Sequence, residues 1–151
     1  MGNRAVITTE KGDRDSKLGV YLHWNGGRDS VQAFLKYCQL KGFRPPEQDC
    51  YGWARLTQVI ANFFGGGSLI GIDICSRLDC NNYDNGVYLI ENWQIVGRED
   101  FDWEEQNEYD LTEMLYQIDA LQPTREQLGK EKIDELLAKD ESRREDETTD
   151  R

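Results

Sequence analysis

GVYLHWNGGRDSVQAFLKYC, residues 19–38, changes its apolar period once, at Asn25-Gly26-Gly27. Before the glycines, Val20, Leu22 and Trp24 alternate with Tyr21 and His23, as in a strand whose successive side chains face opposite ways. After them, Asp29 reads as an N-cap with Gln32 three residues on, the pattern of a capping box. Val31, Phe34, Leu35 and Cys38 then recur at helical spacing until Gly42. The stretch therefore predicts a strand, a turn and a capped helix, with the chain's single histidine at the end of the strand.

The same reading extends in both directions. Residues 4–9 (RAVITT) are β-branched and strand-like, and the polar residues 11–17 turn them into a hairpin with residues 19–24. Arg44-Pro45-Pro46-Glu47 is a linker turn. Residues 52–64 form a second amphipathic helix, with Leu56, Val59, Ile60 and Phe63 on one stripe and Gly65-Gly66-Gly67 after it. Residues 68–75 (SLIGIDIC) are a third strand. Asp84-Asn85-Gly86 is a turn signal before a fourth strand at 87–90, and Glu91-Asn92 turns into a short fifth at 93–96. Asp110 caps a helix with Glu113 that runs through Met114, Leu115 and Ile118 to Pro123. Thr124 starts another, with Gln127 as box partner and Leu128, Ile133, Leu136 and Leu137 on its apolar side. Residues 139–151 carry no apolar side chain and read as a charged, disordered tail. The order β-β-α-α-β-β-(β)-α-α predicts an α+β protein, a small antiparallel sheet of four to five strands packed with helices. It divides into a core domain at 1–98, an acidic-aromatic segment with C-terminal helices at 99–138, and the tail at 139–151.

The chain has 151 residues, 29 acids against 18 bases, and a net charge of -11. Such a surface is repelled by phosphate backbones, which argues against direct nucleic-acid binding and suits a basic protein partner. Acidity also simply keeps small proteins soluble. The N-terminal residues lack an apolar signal region, position 6 is Val rather than the Ser or Thr of a myristoylation pattern, and no stretch is apolar enough to span a bilayer. The expected location is the cytoplasm.

His23 is the natural starting point for catalysis, which requires a second group within hydrogen-bond reach. Asp73 and Cys75 share a face of the third strand, so a Cys-His-Asp arrangement forms if that strand lies beside His23. The competing reading is a structural histidine at a strand end. A nucleotide site would use Gly26-Gly27, His23 and Arg28, although the Gly-rich phosphate-binding motifs are absent. Cys75 and Cys80 enclose four residues, so with His23 they are the candidate zinc ligands, and no other cofactor is indicated. The oxygen-rich residues 79–86 lack the register of a calcium loop and read as a polar hairpin loop.

Residues 99–110 (EDFDWEEQNEYD) hold seven acids and no base, with Phe101, Trp103 and Tyr109 interleaved. As a plain solvated loop they bias the next helix N-terminus favourably. As a docking surface, Asp100, Asp102, Glu104, Glu105 and Glu108 would engage Arg or Lys of a nucleic-acid groove, with Trp103 as the apolar anchor. Neither reading requires catalysis.

Three segments, GVYLHWNGGRDSVQAFLKYC, YGWARLTQVIANFFGGG and DNGVYLIENWQIVGRE, resemble small phage- and prophage-borne proteins of unknown function, over roughly residues 4–98. Proteins of that kind are often inhibitors of host defence, including anti-CRISPR proteins. The resemblance therefore implies a non-enzymatic, DNA-mimicking inhibitor of a Cas9-class effector in the host cytoplasm. A nucleotide-signal sponge is the alternative, and a Cys/His hydrolase the third.

Overall fold

The alternating residues around Ala5 and Val20 pair first. In the computed structural model, which describes residues 3–105 and 107–149, β1 (Ala5–Thr9) runs antiparallel to β2 (Leu18–Leu22), with Ile7 opposite Val20. β3 (Ile70–Ile74) continues on the far side of β2, with Ile72 opposite Val20. β4 (Val87–Glu91) and β5 (Gln94–Glu99) form the second expected hairpin. The five strands make one sheet in the order β3-β2-β1-β4-β5.

The two halves join through a parallel ladder, Val6–Val87 to Thr9–Ile90, so the sheet is mixed where a wholly antiparallel one was expected. Residues 79–86 are consequently not a hairpin loop. They cross from edge strand β3 past β2 and β1 to β4. Asn82, 1 % exposed, organises this crossing: its side-chain oxygen accepts from the amides of Asp84, Asn85 and Gly86, and its amide donates to the carbonyls of Asp79 and Gly86. Gly86 has φ +66, and a Cβ there would sit 2.3 Å from the Glu99 carbonyl oxygen.

The helices cover one face. α1 (Arg28–Leu40), α2 (Cys50–Phe64) and α3 (Leu111–Ala120) bury Val31, Phe34, Leu35, Cys38, Leu56, Ile60, Met114, Leu115 and Ile118 against Ala5, Ile7, Val20, Leu22, Tyr88 and Ile90. Burying an aliphatic or Phe side chain stabilises by about 1.5–3 kcal/mol, so this layer is the main source of stability. The Tyr88 hydroxyl crosses the core to donate to the Gly26 carbonyl at 2.6 Å. Gly26 lies against the chain's first residues, where an added Cβ would meet Asn3 O at 2.4 Å. The other sheet face carries a small second cluster, Val6, Cys75, Cys80 and Val87, flanked by Tyr21, Leu78 and Leu89.

Several local expectations shift. The α1 N-cap is Gly27, not Asp29, because the Asp29 carboxylate is taken by Ser30, Glu108 and Tyr109 amides at 2.6–2.8 Å. Trp24 does not continue the apolar face of β2. The strand ends at Leu22 and the indole is 42 % exposed. The β4–β5 turn is Asn92-Trp93, one residue later than expected, both at positive φ as a type I′ turn requires. Trp93 tolerates this because its indole is buried and donates to the Phe43 carbonyl at 2.7 Å. Asp110 caps α3 as expected, accepting from Glu113 N.

Thr124 begins only a single 3₁₀ turn, Thr124–Glu126, and α4 (Lys130–Thr149) starts after Gly129. The reason is Asp119, 4 % exposed, whose carboxylate accepts from Tyr37 Oη at 2.6 Å, Leu128 N at 2.7 Å and Gly129 N at 2.9 Å. It holds the amides of residues 128–129 outside any helix, which starts only after them. The segment from Lys139, expected to be a disordered tail, continues α4 to Thr149, supported by Glu135–Lys139 at 3.3 Å and Lys36–Asp140 at 2.5 Å. Residues 150–151 of that tail lie outside the described residues.

Candidate functional site: an acidic-aromatic strap

Arg98 on β5 anchors the acidic segment. Its guanidinium lies 4.0 Å from the Tyr88 ring centroid and 3.8 Å from that of Phe101, so it is sandwiched between two aromatic faces. It pairs with Glu105 and donates to the Asn85 carbonyl at 2.7 Å. Arg98 Nε and Glu105 Oε2 are buried with no partner among the described residues. Two further ties fix the segment. Trp103 Nε1 donates to the Asp84 carbonyl at 2.7 Å, and the Asp29 carboxylate receives the amides of Glu108 and Tyr109. The segment is therefore a strap pinned at its middle and its end, with no regular secondary structure in its described residues between β5 and α3.

This places the candidate residues in two groups. Asp100 and Glu99 share Arg14, at 2.8 and 3.0 Å, and Glu105 is turned inward to Arg98. Asp102, Glu104 and Glu108 are exposed and carry no ion pair among the described residues. Trp103 is 46 % exposed although its indole N–H is bonded. The strap thus offers three unneutralised carboxylates around a half-exposed tryptophan on a braced backbone.

The surface continues beyond the strap through residues that local pattern did not reveal. Tyr83, 75 % exposed, precedes Asp84, the residue whose carbonyl receives Trp103. The Asp84 carboxylate pairs with Arg4 Nε at 2.8 Å, and Asp79 lies 3.5 Å from the same guanidinium. The β1–β2 register, extended by one residue, sets Arg4 beside His23. Tyr21 Oη lies 3.0 Å from His23 Nδ1, and the His23 ring meets Trp24 edge-on at 5.6 Å. Partial burial, first, and the carboxylates of Asp79 and Asp84 raise the Tyr21 pKa, against the opposing pull of Arg4. One line of polar and aromatic groups therefore runs from Trp24 through His23, Tyr21, Arg4 and Asp84 to Trp103.

The Cys-His-Asp arrangement does not form. His23 N bonds Leu69 O, whereas Asp73 stands opposite Gly19 and Cys75 N bonds Lys17 O. At about 3.3 Å per residue, four to six positions separate these groups by about 13–20 Å. For the same reason His23 does not join Cys75 and Cys80 as a zinc ligand. Among the described residues no three His, Cys, Asp or Glu side chains converge on a metal position. The two thiols do meet each other, with sulfurs 3.9 Å apart. Burial, chiefly, and the neighbouring thiol push Cys80 up to about 11.

A separate groove of 580 Å³ lies between α1, the β4–β5 turn, the start of α3 and α4, with Arg28, Gln32, Lys36 and Leu137 among its walls. His23 and Gly26-Gly27, the other members of the nucleotide reading, do not line it. No described helix is long and apolar enough to cross a membrane. Comparison of the chain with family models, curated proteins and solved structures found no match.

Proposed function

We propose that this protein is a non-enzymatic binding protein that sets its acidic-aromatic surface against a basic, nucleic-acid-handling protein and occludes that partner's DNA or RNA path. The observation that carries the reading is the combination of three unpaired carboxylates, Asp102, Glu104 and Glu108, with Trp103 on a strap braced by Arg98 and Asp29. A braced strap loses little conformational entropy on docking, so its charges act at low cost. Tyr83 extends the apolar part, and Trp and Tyr are the residue types that dominate interface energetics.

The specific target class we propose is a Cas9-class effector in a host cytoplasm, the protein acting as a phage-type, anti-CRISPR inhibitor. This rests on the sequence resemblance together with the acidic strap. The test is guide-directed cleavage of a target DNA after the effector has been incubated with rising amounts of protein. Stoichiometric inhibition is expected, and the triple variant D102K/E104K/E108K is expected to lose at least tenfold in potency while keeping its fold. Full cleavage at large excess discards the Cas9 class, and inhibition untouched by the triple reversal discards the acidic surface.

The groove favours a second reading, a small-molecule or nucleotide-signal sponge. Its 580 Å³ falls within the usual range of ligand pockets, and Arg28, which has no carboxylate partner among the described residues, lines it. A ligand that binds only the folded state raises its melting temperature, so an unshifted transition across a nucleotide panel removes this reading.

A further inference from the structure

The four cysteines occupy different environments. Cys38 is fully buried on the core side of α1, and Cys50 is exposed at the start of α2. Cys75, after β3, and Cys80, in the crossing loop, are buried together, 0 % and 8 % exposed, with Sγ atoms 3.9 Å apart. The 3₁₀ turn Cys75–Arg77 folds the chain back so that Cys80 Sγ donates to the Cys75 carbonyl at 3.3 Å. Their other neighbours are the apolar side chains Val6, Val87 and Leu78. Forming a bond of about 2.05 Å requires the sulfurs, now 3.9 Å apart, to approach by about 1.9 Å. The segment is held on both sides, by Cys75 N bonding Lys17 O and by the Asn82 network, so the two sulfurs are kept as neighbours. Burial, chiefly, and the Cys75 thiol hold the Cys80 proton on, and Arg14, the cation that faces Cys80, works against them.

We propose that Cys75 and Cys80 are a dithiol modification site, which a small-molecule disulfide such as oxidised glutathione converts into an intramolecular disulfide. Cys80, the more accessible sulfur, loses its proton to solvent and attacks one glutathione sulfur. The glutathione S–S bond breaks, one glutathione leaves as thiolate and takes up a proton, and a mixed disulfide remains. Cys75 then gives up its proton, attacks Cys80 Sγ and displaces the second glutathione, which is protonated in turn. Two protein thiols lose two electrons and two protons, and one disulfide is reduced to two thiols. The product staples the end of β3 to the loop that carries Asp79, Tyr83 and Asp84. This inference stands independently of the partner proposed above.

The experiment uses the full chain carrying Cys50→Ser, which removes the one exposed competing thiol. The native protein is held with excess oxidised glutathione, unreacted thiols are alkylated after denaturation, and the mass and tryptic peptides are read. The expected result is one alkyl group where the reduced protein takes three, a mass two hydrogens below that of the singly alkylated protein, and a cross-linked pair of peptides, since trypsin cuts at Arg77 between the two cysteines. The oxidised form is expected to melt about 5 °C higher, the effect of closing so short a loop in a domain of this size. In a Cys75→Ser variant the mixed disulfide should persist on Cys80 as a glutathione adduct, because the second displacement is removed. Both thiols remaining alkylatable after oxidation, or a stable glutathione adduct on the protein that retains Cys75, would overturn the proposal, and neither readout depends on that variant folding.

Discussion

Replacing Arg98 by methionine tests whether the strap is braced as described. Methionine keeps an apolar, polarisable side chain between the Tyr88 and Phe101 rings but removes the charge and every donor. Three contributions disappear: cation–π contact with two rings at 4.0 and 3.8 Å, the ion pair with Glu105, and the hydrogen bond to Asn85 O. Breaking a fully buried ion pair costs about 3–5 kcal/mol, because one charge is left without compensation. Here the figure is lower. The Glu105 side chain keeps 27 % of its exposure, and Arg98 Nε and Glu105 Oε2 already lack partners among the described residues. With about 1 kcal/mol for the two ring contacts, the net loss is about 2–3 kcal/mol, or a fall in melting temperature of about 5–10 °C. Adding Glu105→Gln to the Arg98→Met variant removes the stranded charge and should return about 1 kcal/mol. The assay is urea unfolding of the single and double variants, with hydrogen exchange read at the strap amides. An Arg98→Met variant that unfolds at the wild-type urea concentration, with strap amides as protected as before, refutes the bracing argument.

Asp29→Ala should cost about 1–2 kcal/mol, since the carboxylate serves two strap amides and the first turn of α1, and exchange at the Glu108 and Tyr109 amides should quicken at least tenfold. Gly26→Ala should leave little folded protein: its Cβ would sit 2.4 Å from Asn3 O and 2.8 Å from Ala5 Cβ, a clash with backbone that a flexible side chain cannot relieve, and soluble yield together with the melting temperature would show it. Stability should fall as the solution is made alkaline. Burial holds the Cys38 thiol well above its usual range, burial and the Asp119 hydrogen bond do the same for the Tyr37 phenol, burial does so for Tyr88, and Cys80 is pushed up to about 11. Unfolded thiols ionise near pH 9.0 and phenols near pH 10.0, so above pH 9 the unfolded chain holds fewer protons than the folded one and is favoured. Melting temperatures that stay level through this window would contradict the burial of these groups.

Elements whose signals are local were legible in the sequence. The period change at Asn25-Gly26-Gly27, the stripe of α2 and the cap at Asp110 each rest on residues within a few positions of one another. The parallel β1–β4 ladder was not legible, because nothing in residues 5–9 names residues 87–91 as their neighbour. Asp29 fits a capping box in sequence, yet tertiary contact assigns its carboxylate to amides 79 and 80 residues away. The acidity of the strap was evident, but not which acids it leaves free, since that follows from Arg98 and Arg14 approaching from other elements. Tyr83 and His23 join the strap's surface only once the crossing loop and the extended β1–β2 register bring Arg4 and Asp84 together.

The parallel ladder also bears on how the chain is made. β1 leaves the ribosome before the other four strands and can pair with β2 almost at once, but its other partner, β4, begins at Val87. Until then the β4-facing edge of β1 presents unpaired amide and carbonyl groups beside Val6 and Ile7, a template for another nascent chain. Chains that stall or terminate before residue 87 keep that edge open. They should aggregate through β1, and the highly charged α4, synthesised after all five strands, comes too late to keep them apart.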